Sequence, residues 1–504
     1  IRRLHAEDMM HVTTSTPGDA VPTPPADDVG WRRDRIFWLL LLGALALRLI
    51  HVDAPVIGMH AWRQSDTAAM ARNYYENGYD FPRPQIDAAG GGEGYCETEF
   101  PLYPFSVALL YRVTGPGEIW GRLVSVLCAM LGMAFMHSLV RRTSGRAAAL
   151  WTTAFLGFLP LSVFYSRTVM PEAMMLMGSA GSIAAFDCWV RSGARRWWFL
   201  ALLATMLACL LKITSLYLGL PLAWLAWRRW GWRFLRQPAP WLFALLVFAA
   251  VALWYSHAYR LGRESGQSFG IWGYGTDKWG QWHLLATWEF WNGVVFRSLA
   301  ERHVTWPAVP LVVAGLVLPR RHGDERLYDW WLVAILAYFV IAQKGNLAHE
   351  YYQLPAVLPL AAVLGRTVAR GLSRSTWWPL ALGTAVAVAL TVAAGAGLYA
   401  RYLHREDAAR SWQLELARLV QEKTAPEERG VFVQWDDPTL LYLSHRKGWR
   451  GHAERLDPED LANAVRGGAT FLAARARDLP AWLQDEYGVA GEELVVVPIG
   501  SPAP

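Results

Sequence analysis

Apolar residues in this chain fall into long runs separated by short polar turns. Eleven runs can be drawn, at 36–52, 119–140, 147–165, 169–190, 197–213, 215–229, 240–258, 305–319, 328–344, 353–370 and 377–400. A bilayer core about 30 Å thick needs roughly 20 apolar residues per helical crossing. The pattern predicts a polytopic α-helical membrane protein with about 11 transmembrane helices, the first (Ile36–Val52) uncleaved. Outside these runs the periodicity changes. Residues 401–504 read as a small α/β module, with helices expected at 406–422 and 458–465 and strands at 431–435, 470–474 and 494–499. Residues 13–28 are rich in Pro, Thr and Asp, a composition that cannot bury a core, so 1–34 are expected to be a disordered cytoplasmic segment, with Met9 or Met10 as the natural start.

Charge sets the orientation. Arg141, Arg142 and Arg146 follow the second run, Arg191, Arg195 and Arg196 the fourth, and Arg228, Arg229, Arg233 and Arg236 the sixth. Arg320, Arg321 and Arg326 follow the eighth, and Arg366, Arg370 and Arg374 surround the end of the tenth. All five clusters lie on the side of the N-terminus, which the positive-inside rule assigns to the cytoplasm. Three large pieces then face outward: an acidic first loop at 53–118, a Trp-rich loop at 259–304 and the module at 401–504, leaving 35–400 as the membrane domain. Trp272, Trp279, Trp282, Trp288 and Trp291 in the second loop are spaced as in a helix lying at the interface, the alternative being the wall of a lipid or sugar groove.

Composition narrows the class. Charged residues make up 18% of the chain, against about 25% in average soluble domains. The net charge of +6 is dispersed among the connections rather than gathered in one patch, so nucleic acid is not an expected partner. Of the four cysteines, Cys128, Cys188 and Cys209 lie in apolar runs and Cys96 in a polar loop, which gives neither a disulfide framework nor a metal spacing.

Ionisable residues gather at the outer rim, where their desolvation is costly and points to function. In His60-Ala61-Trp62-Arg63-Gln64-Ser65-Asp66, the residues His60, Arg63 and Asp66 are three apart and share a helical face. Asp66 is a candidate general base toward a hydroxyl, with cations nearby to stabilise a departing anion; the alternative is a surface helix on which Asp66 pairs with Arg63. The run Glu97-Thr98-Glu99-Phe100-Pro101-Leu102-Tyr103-Pro104 reads as an acidic turn aimed back at the membrane. Ser166-Arg167-Thr168-Val169-Met170-Pro171-Glu172, Lys212, and Gln343-Lys344-Gly345-Asn346-Leu347-Ala348-His349-Glu350-Tyr351-Tyr352 sit at the same depth. No ligand spacing demands a metal, although the many outer carboxylates are compatible with a divalent cation. No internal repeat is evident, which disfavours a transporter or lipid-linked glycan flippase; a membrane scaffold would leave the first-loop constellation unexplained.

Taken together, Trp62-Arg63-Gln64-Ser65-Asp66-Thr67-Ala68, Glu99-Phe100-Pro101-Leu102, Ser166-Arg167…Pro171-Glu172 and His349-Glu350-Tyr351-Tyr352-Gln353-Leu354-Pro355 resemble the GT-C-type glycosyltransferases of the protein-mannosyltransferase-like superfamily, which includes the lipid A aminoarabinose and galacturonic acid transferases. The resemblance spans about residues 36–400. It implies a bacterial inner-membrane enzyme that moves a sugar from a polyprenyl-phosphate-linked donor to a periplasmic glycan, lipid or protein acceptor, in contact with membrane lipids. It assigns the activating carboxylate to Asp66. The chain departs from the pattern at two places: Arg63 and Gln64 stand where many relatives carry an Asp-Glu pair, and Glu99 stands where the aminoarabinose branch has a Lys. Arg63, His60, Arg167, Lys212, Lys344 and His349 are the expected partners of the donor phosphate or substrate, with Glu99, Glu172, Glu350, Tyr351 and Tyr352 placed to position hydroxyls or cations.

Overall fold

Where an apolar run meets proline or a polar break, its helix divides, and this governs the architecture. The computed structural model describes residues 30–269, 279–320, 323–372, 389, 392–407, 411–489 and 491–500. The chain forms α1 (Arg35–Arg48), α2 (Ala61–Glu76), α3 (Leu102–Thr114), α4 (Glu118–Ser144), α5 (Arg146–Phe158), α6 (Pro160–Tyr165), α7 (Glu172–Ser192) and α8 (Arg195–Leu211). There follow α9 (Gly219–Trp230), α10 (Pro238–Ser265), α11 (Trp288–Trp291), a π-helix at Asn292–His303, α12 (Val309–Val317), α13 (Arg326–Ile341), α14 (Gln343–Ala348) and α15 (Val357–Leu372). Each of the first ten expected runs coincides with a helix. Three helices, α4, α7 and α10, are long and apolar enough to cross a membrane singly. The rest are shorter, and most of the eleventh run lies outside the described residues, with 392–401 helical.

The expected single span at 147–165 is in fact two helices. Pro160 has no N–H to give the carbonyl of Leu156. The wholly buried Arg48 supplies it, with Nη2 donating to Leu156 O at 3.0 Å and Nη1 to Gly157 O at 2.9 Å. In an apolar medium such freed carbonyls must be satisfied from within the protein. A similar break falls at Lys212, an extended residue between α8 and a 3-10 turn at Ile213–Leu218. Here Tyr255 Oη and Phe100 N both donate to Leu210 O, each at 3.1 Å.

The arginine-rich connections meet at one end of the bundle, as expected from their shared side. Asp34 pairs with Arg146 at 2.6 Å, Asp187 with Arg142 at 2.9 Å and Arg191 at 2.7 Å, and Asp324 with Arg191 at 2.9 Å.

The C-terminal residues form a four-stranded sheet in the order β2-β1-β3-β4, made of β1 (Arg429–Val433), β2 (Lys447–Gly451), β3 (Ala469–Arg475) and β4 (Leu494–Pro498). β1 runs parallel to β2 and β3, and β4 antiparallel to β3. Helices Trp412–Lys423 and Pro458–Arg466 accompany it. Two boundaries differ from expectation. Tyr402 and Leu403 pack with Leu161, Phe164 and Tyr351, so 401–407 belong to the membrane part rather than to the module. The second outer loop starts only after Ser265, where α10 ends; Trp282 and Trp288 in it are exposed, and Trp272 lies outside the described residues.

The module is not a separate body. Phe432, Leu440, Leu441 and Phe471 share a core with Met70, Ile86, Ala88 and Cys96 of the first loop. At the β2 edge, Gly90 N donates to Gly448 O at 2.8 Å and Gly448 N to Asp87 O at 3.1 Å, so the loop covers the strand's open side. Gly448 has φ +153° and lies so close to β1 that a Cβ would sit 2.0 Å from Gly430 O. The four cysteines are buried, and none is in a disulfide.

Candidate active site

Helix α2 is the centre of the first loop and is buried over nearly its whole length, from Ala61 to Tyr74, rather than lying on a surface. The first loop, α7 and the C-terminal module surround it. His60 precedes it with φ +55°. Asp66 projects from its second turn with 3% of its surface exposed. Its Oδ1 is buried without a hydrogen-bond partner. Burial raises its pKa to about 7, against the downward pull of Arg450 and Arg63 and with a further push from Asp87 and Asp437.

Arg63, one turn earlier, does not pair with Asp66. Its Nη2 donates to Glu99 Oε2 at 2.7 Å, and its guanidinium lies 4.5 Å over the Phe269 ring. The other oxygen of Glu99 accepts from Lys212 Nζ at 2.9 Å, and Lys212 also pairs with Glu172 at 3.1 Å. Glu97–Glu99 is therefore no solvated turn: Glu97 is buried, and Glu99 is the centre of a four-residue ionic chain. Burial works to raise the Glu99 carboxyl, but Arg63 and Lys212 outweigh it and hold it well below the usual carboxylate range. Glu172, at the first residue of α7, serves Lys212 as well as the helix N-terminus.

These groups face a cavity of about 270 Å³. Trp62, Arg63, Asp66, Glu99, Lys212, His349, Tyr351 and Tyr352 all line it. His349 and Tyr351 stack with ring centroids 5.2 Å apart and 10° between planes, and His60 lies edge-on to Tyr351 at 5.2 Å. Burial lowers the pKa of His60, opposed by Glu350 and Glu172. The break between α14 and the 3-10 turn at Glu350–Ala356 leaves His349 extended and turns this aromatic group inward.

Three expected site residues lie elsewhere. Arg167 is fully buried against Glu406, with Nη1 and Nη2 donating to Oε1 and Oε2 at 3.1 and 3.0 Å, and Arg122 joins the same carboxylate. Glu406 lies 239 residues away in sequence, so no local pattern signals the pair. Glu350 is turned away from the cavity and accepts from Tyr165 Oη at 3.1 Å, from Tyr402 Oη at 3.0 Å and from Arg302. Lys344 is exposed on α14 and does not line the cavity. Conversely, the cavity contains residues that the sequence did not single out: Tyr255, Phe269 and Arg450. Arg450 comes from β2, the strand whose Lys-Gly-Trp-Arg-Gly sequence shows no alternation. Among the described residues, no group of three or more His, Cys, Asp or Glu side chains is placed to hold a metal ion.

The arrangement offers a carboxylate oxygen of Asp66 without a partner beside the carboxylate-paired Arg63 and Lys212 and aromatic faces, which suits proton removal next to a bound polar substrate. Residues 98–256 match the family described as dolichyl-phosphate-mannose-protein mannosyltransferase. The fold is similar to that of ArnT from Cupriavidus metallidurans bound to undecaprenyl phosphate (TM-score 0.65, 17% identity, covering 94% of this chain and 99% of that one). The apo form of the same protein gives TM-score 0.65 and 18% identity over 93% of this chain and 98% of that one. The apo oligosaccharyltransferase of Archaeoglobus fulgidus matches at TM-score 0.59 and 11% identity, over 88% of this chain and 69% of that one. No curated protein matches by sequence.

Proposed function

We propose that this chain, which has the GT-C-type fold of the protein-mannosyltransferase-like superfamily, is a membrane glycosyltransferase that moves a sugar from a polyprenyl-phosphate donor to an acceptor on the periplasmic face of a bacterial inner membrane. Its N-terminus is cytoplasmic and its C-terminal module periplasmic. The likeness to ArnT holding undecaprenyl phosphate supports a lipid phosphate as donor. The observation that carries the reading is the buried, unpartnered Oδ1 of Asp66 in the same cavity as Lys212 and His349.

Asp66 accepts the proton of the acceptor hydroxyl as its oxygen attacks the anomeric carbon. The new C–O bond forms as the bond to the lipid phosphate breaks, and in-line displacement inverts the configuration. The lipid phosphate leaves as an anion toward Lys212, His349 and the hydroxyls of Tyr351 and Tyr352, on the membrane side. Glu99 and Glu172 hold Lys212 in place. The Arg63–Glu99 pair forms the adjoining wall, and Trp62 and Phe269 offer faces on which a sugar can lie. The test is transfer from a panel of polyprenyl-phosphate sugars to membrane glycans by the purified protein. Transfer that is lost in Asp66→Asn, with the fold retained, supports the reading. Full activity in that variant removes Asp66 from the mechanism, and no transfer from any donor removes the reading.

A further inference from the structure

The cations of the cavity differ in how they are used. Arg63 is spent on Glu99, and Lys212 on Glu99 and Glu172. Arg450 is different: among the described residues, no carboxylate lies within ion-pair distance of it, and its guanidinium donates only to the backbone carbonyl of Asp436, at 3.4 Å. It is exposed at the cavity mouth yet lines the cavity with Asp66. An uncompensated guanidinium facing a cavity is suited to bidentate capture of a phosphate or carboxylate.

The segment that Arg450 reaches is itself unusual. Trp435 and Asp436 have φ +49° and +60°, two successive non-glycine residues in the left-handed region. Strain of this kind persists where the surroundings enforce it and collects at binding sites. Its result is to leave Trp435 exposed over 56% of its surface, with its ring held edge-on by His452 at 4.9 Å. Arg450 donates to the carbonyl of Asp436, the residue that follows Trp435, so an exposed indole and a guanidinium with no carboxylate in ion-pair reach belong to one segment.

The position also fixes which substrate meets them. In an in-line displacement, the acceptor oxygen and the leaving phosphate lie on opposite sides of the anomeric carbon. Lys212 Nζ lies 5.6 Å from the rings of Tyr351 and Tyr352, whereas Arg450 is the cation whose field acts most on Asp66 in the shared cavity, which groups it with the base that meets the attacking hydroxyl. We propose that Trp435 and Arg450 of the C-terminal module form an acceptor subsite for a sugar ring bearing an anionic substituent. This rests on the reading of Asp66 as the base, and it makes the module part of the site rather than an appendage.

The test is binding of glucose 6-phosphate, glucuronate and glucose to the purified full-length protein, followed by saturation-transfer NMR. Binding does not need the chemical step, so Asp66→Asn should still bind; full transfer by that variant with binding intact would count against the base and leave the subsite standing. The two charged sugars should bind more tightly than glucose, the phosphate and carboxylate arms showing which anion is preferred. Arg450→Ala should weaken them about tenfold or more, as loss of a charged hydrogen bond does, and leave glucose unchanged. Arg450→Lys should restore part of the affinity. Trp435→Ala should weaken all three. Equal binding of charged and neutral sugars by the native protein, or undiminished binding of both charged sugars by Arg450→Ala, would overturn the proposal.

Discussion

Arg63 Nη2 donates to Glu99 Oε2 at 2.7 Å and so ties α2 to the turn that precedes Pro101. Lys212 then finds its carboxylate on Glu99, which a lysine at 99 would have repelled.

The Arg63–Glu99 pair should therefore be energetically coupled. Arg63→Ala leaves Glu99 with Lys212 alone, and Glu99→Ala leaves two cations facing each other in a largely buried site. The single variants should each lose stability, Glu99→Ala more, and the double variant should lose less than their sum. Interaction energies of about 1–3 kcal/mol are typical of contacting charged pairs. A double-mutant cycle on thermal unfolding in detergent measures this; additivity would show that the pair contributes only geometry.

Asp66 sets a trade between stability and activity. Its carboxyl titrates near pH 7 in the folded protein, against 3.8 as its ordinary value. Between those values the folded state holds a proton that the unfolded chain has lost, so this group's contribution to stability falls as pH rises across that window and is fully lost above about 7. Asp66→Asn should therefore unfold at a higher temperature than the native protein at pH 8 and at a similar one at pH 3. Its transfer rate should fall by about 10²–10⁴-fold, as for loss of a general base. A variant that is inactive and also destabilised at pH 8 would argue that Asp66 is structural.

The same titration governs the pH profile. Proton acceptance requires the ionised form, so transfer in the native protein should rise with pH through about 7 and level off above it. Arg450→Ala removes the largest charge holding that value down. Its acidic limb should move to higher pH, and a profile that stays in place would deny any field from Arg450 at Asp66.

The two lysines first read as phosphate partners separate sharply. Lys212 lines the cavity between two carboxylates, and Lys344 is exposed outside it. Lys212→Ala should reduce kcat/KM for the donor by about 10²-fold or more, the order seen on removing one group that stabilises a developing anion. Lys344→Ala should stay within about twofold of native, the ordinary outcome of a surface change. The reverse ranking would place the phosphate on the far side of α14.

How much of this was legible follows from which signals are local. Helix positions and the one-sided arginines are encoded in continuous runs, so ten helices and a shared charged end were readable. Pairing between distant segments is not. Arg167 reads as a rim cation until Glu406 is brought to it, and Glu350 reads as a site carboxylate until Tyr165 and Tyr402 turn it away. Arg450 was hidden for another reason: β2 is a short edge strand with two glycines, held by the first loop rather than by its own side chains, so no period-two pattern marks it. The three-residue spacing places Arg63 and Asp66 on α2 and against one cavity, while His60 precedes the helix in the left-handed region and the partner of Arg63 comes from the turn 36 residues on.

Docking of the module should itself be breakable at Asp87. This carboxylate holds Arg72 of α2 and accepts from Asn73 Nδ2 at 3.0 Å, while Arg72 Nη1 donates to Tyr442 O of the module at 3.0 Å. The backbone carbonyl of Asp87 meets Gly448. Asp87→Ala leaves the buried Arg72 guanidinium with Glu76 alone as carboxylate partner, at 4.0 Å, and breaking a buried pair typically costs about 3–5 kcal/mol. The loss should fall on the joint rather than on the bundle, because Asp87 and Tyr442 hold Arg72 between α2 and the module. Limited proteolysis should then release residues beyond 411 faster than in the native protein, while the membrane part stays intact. Transfer should fall as well, since the module carries Arg450 into the cavity. Unchanged proteolysis with reduced transfer would place the effect of Asp87 on Asp66 alone, through the field that Asp87 exerts on it.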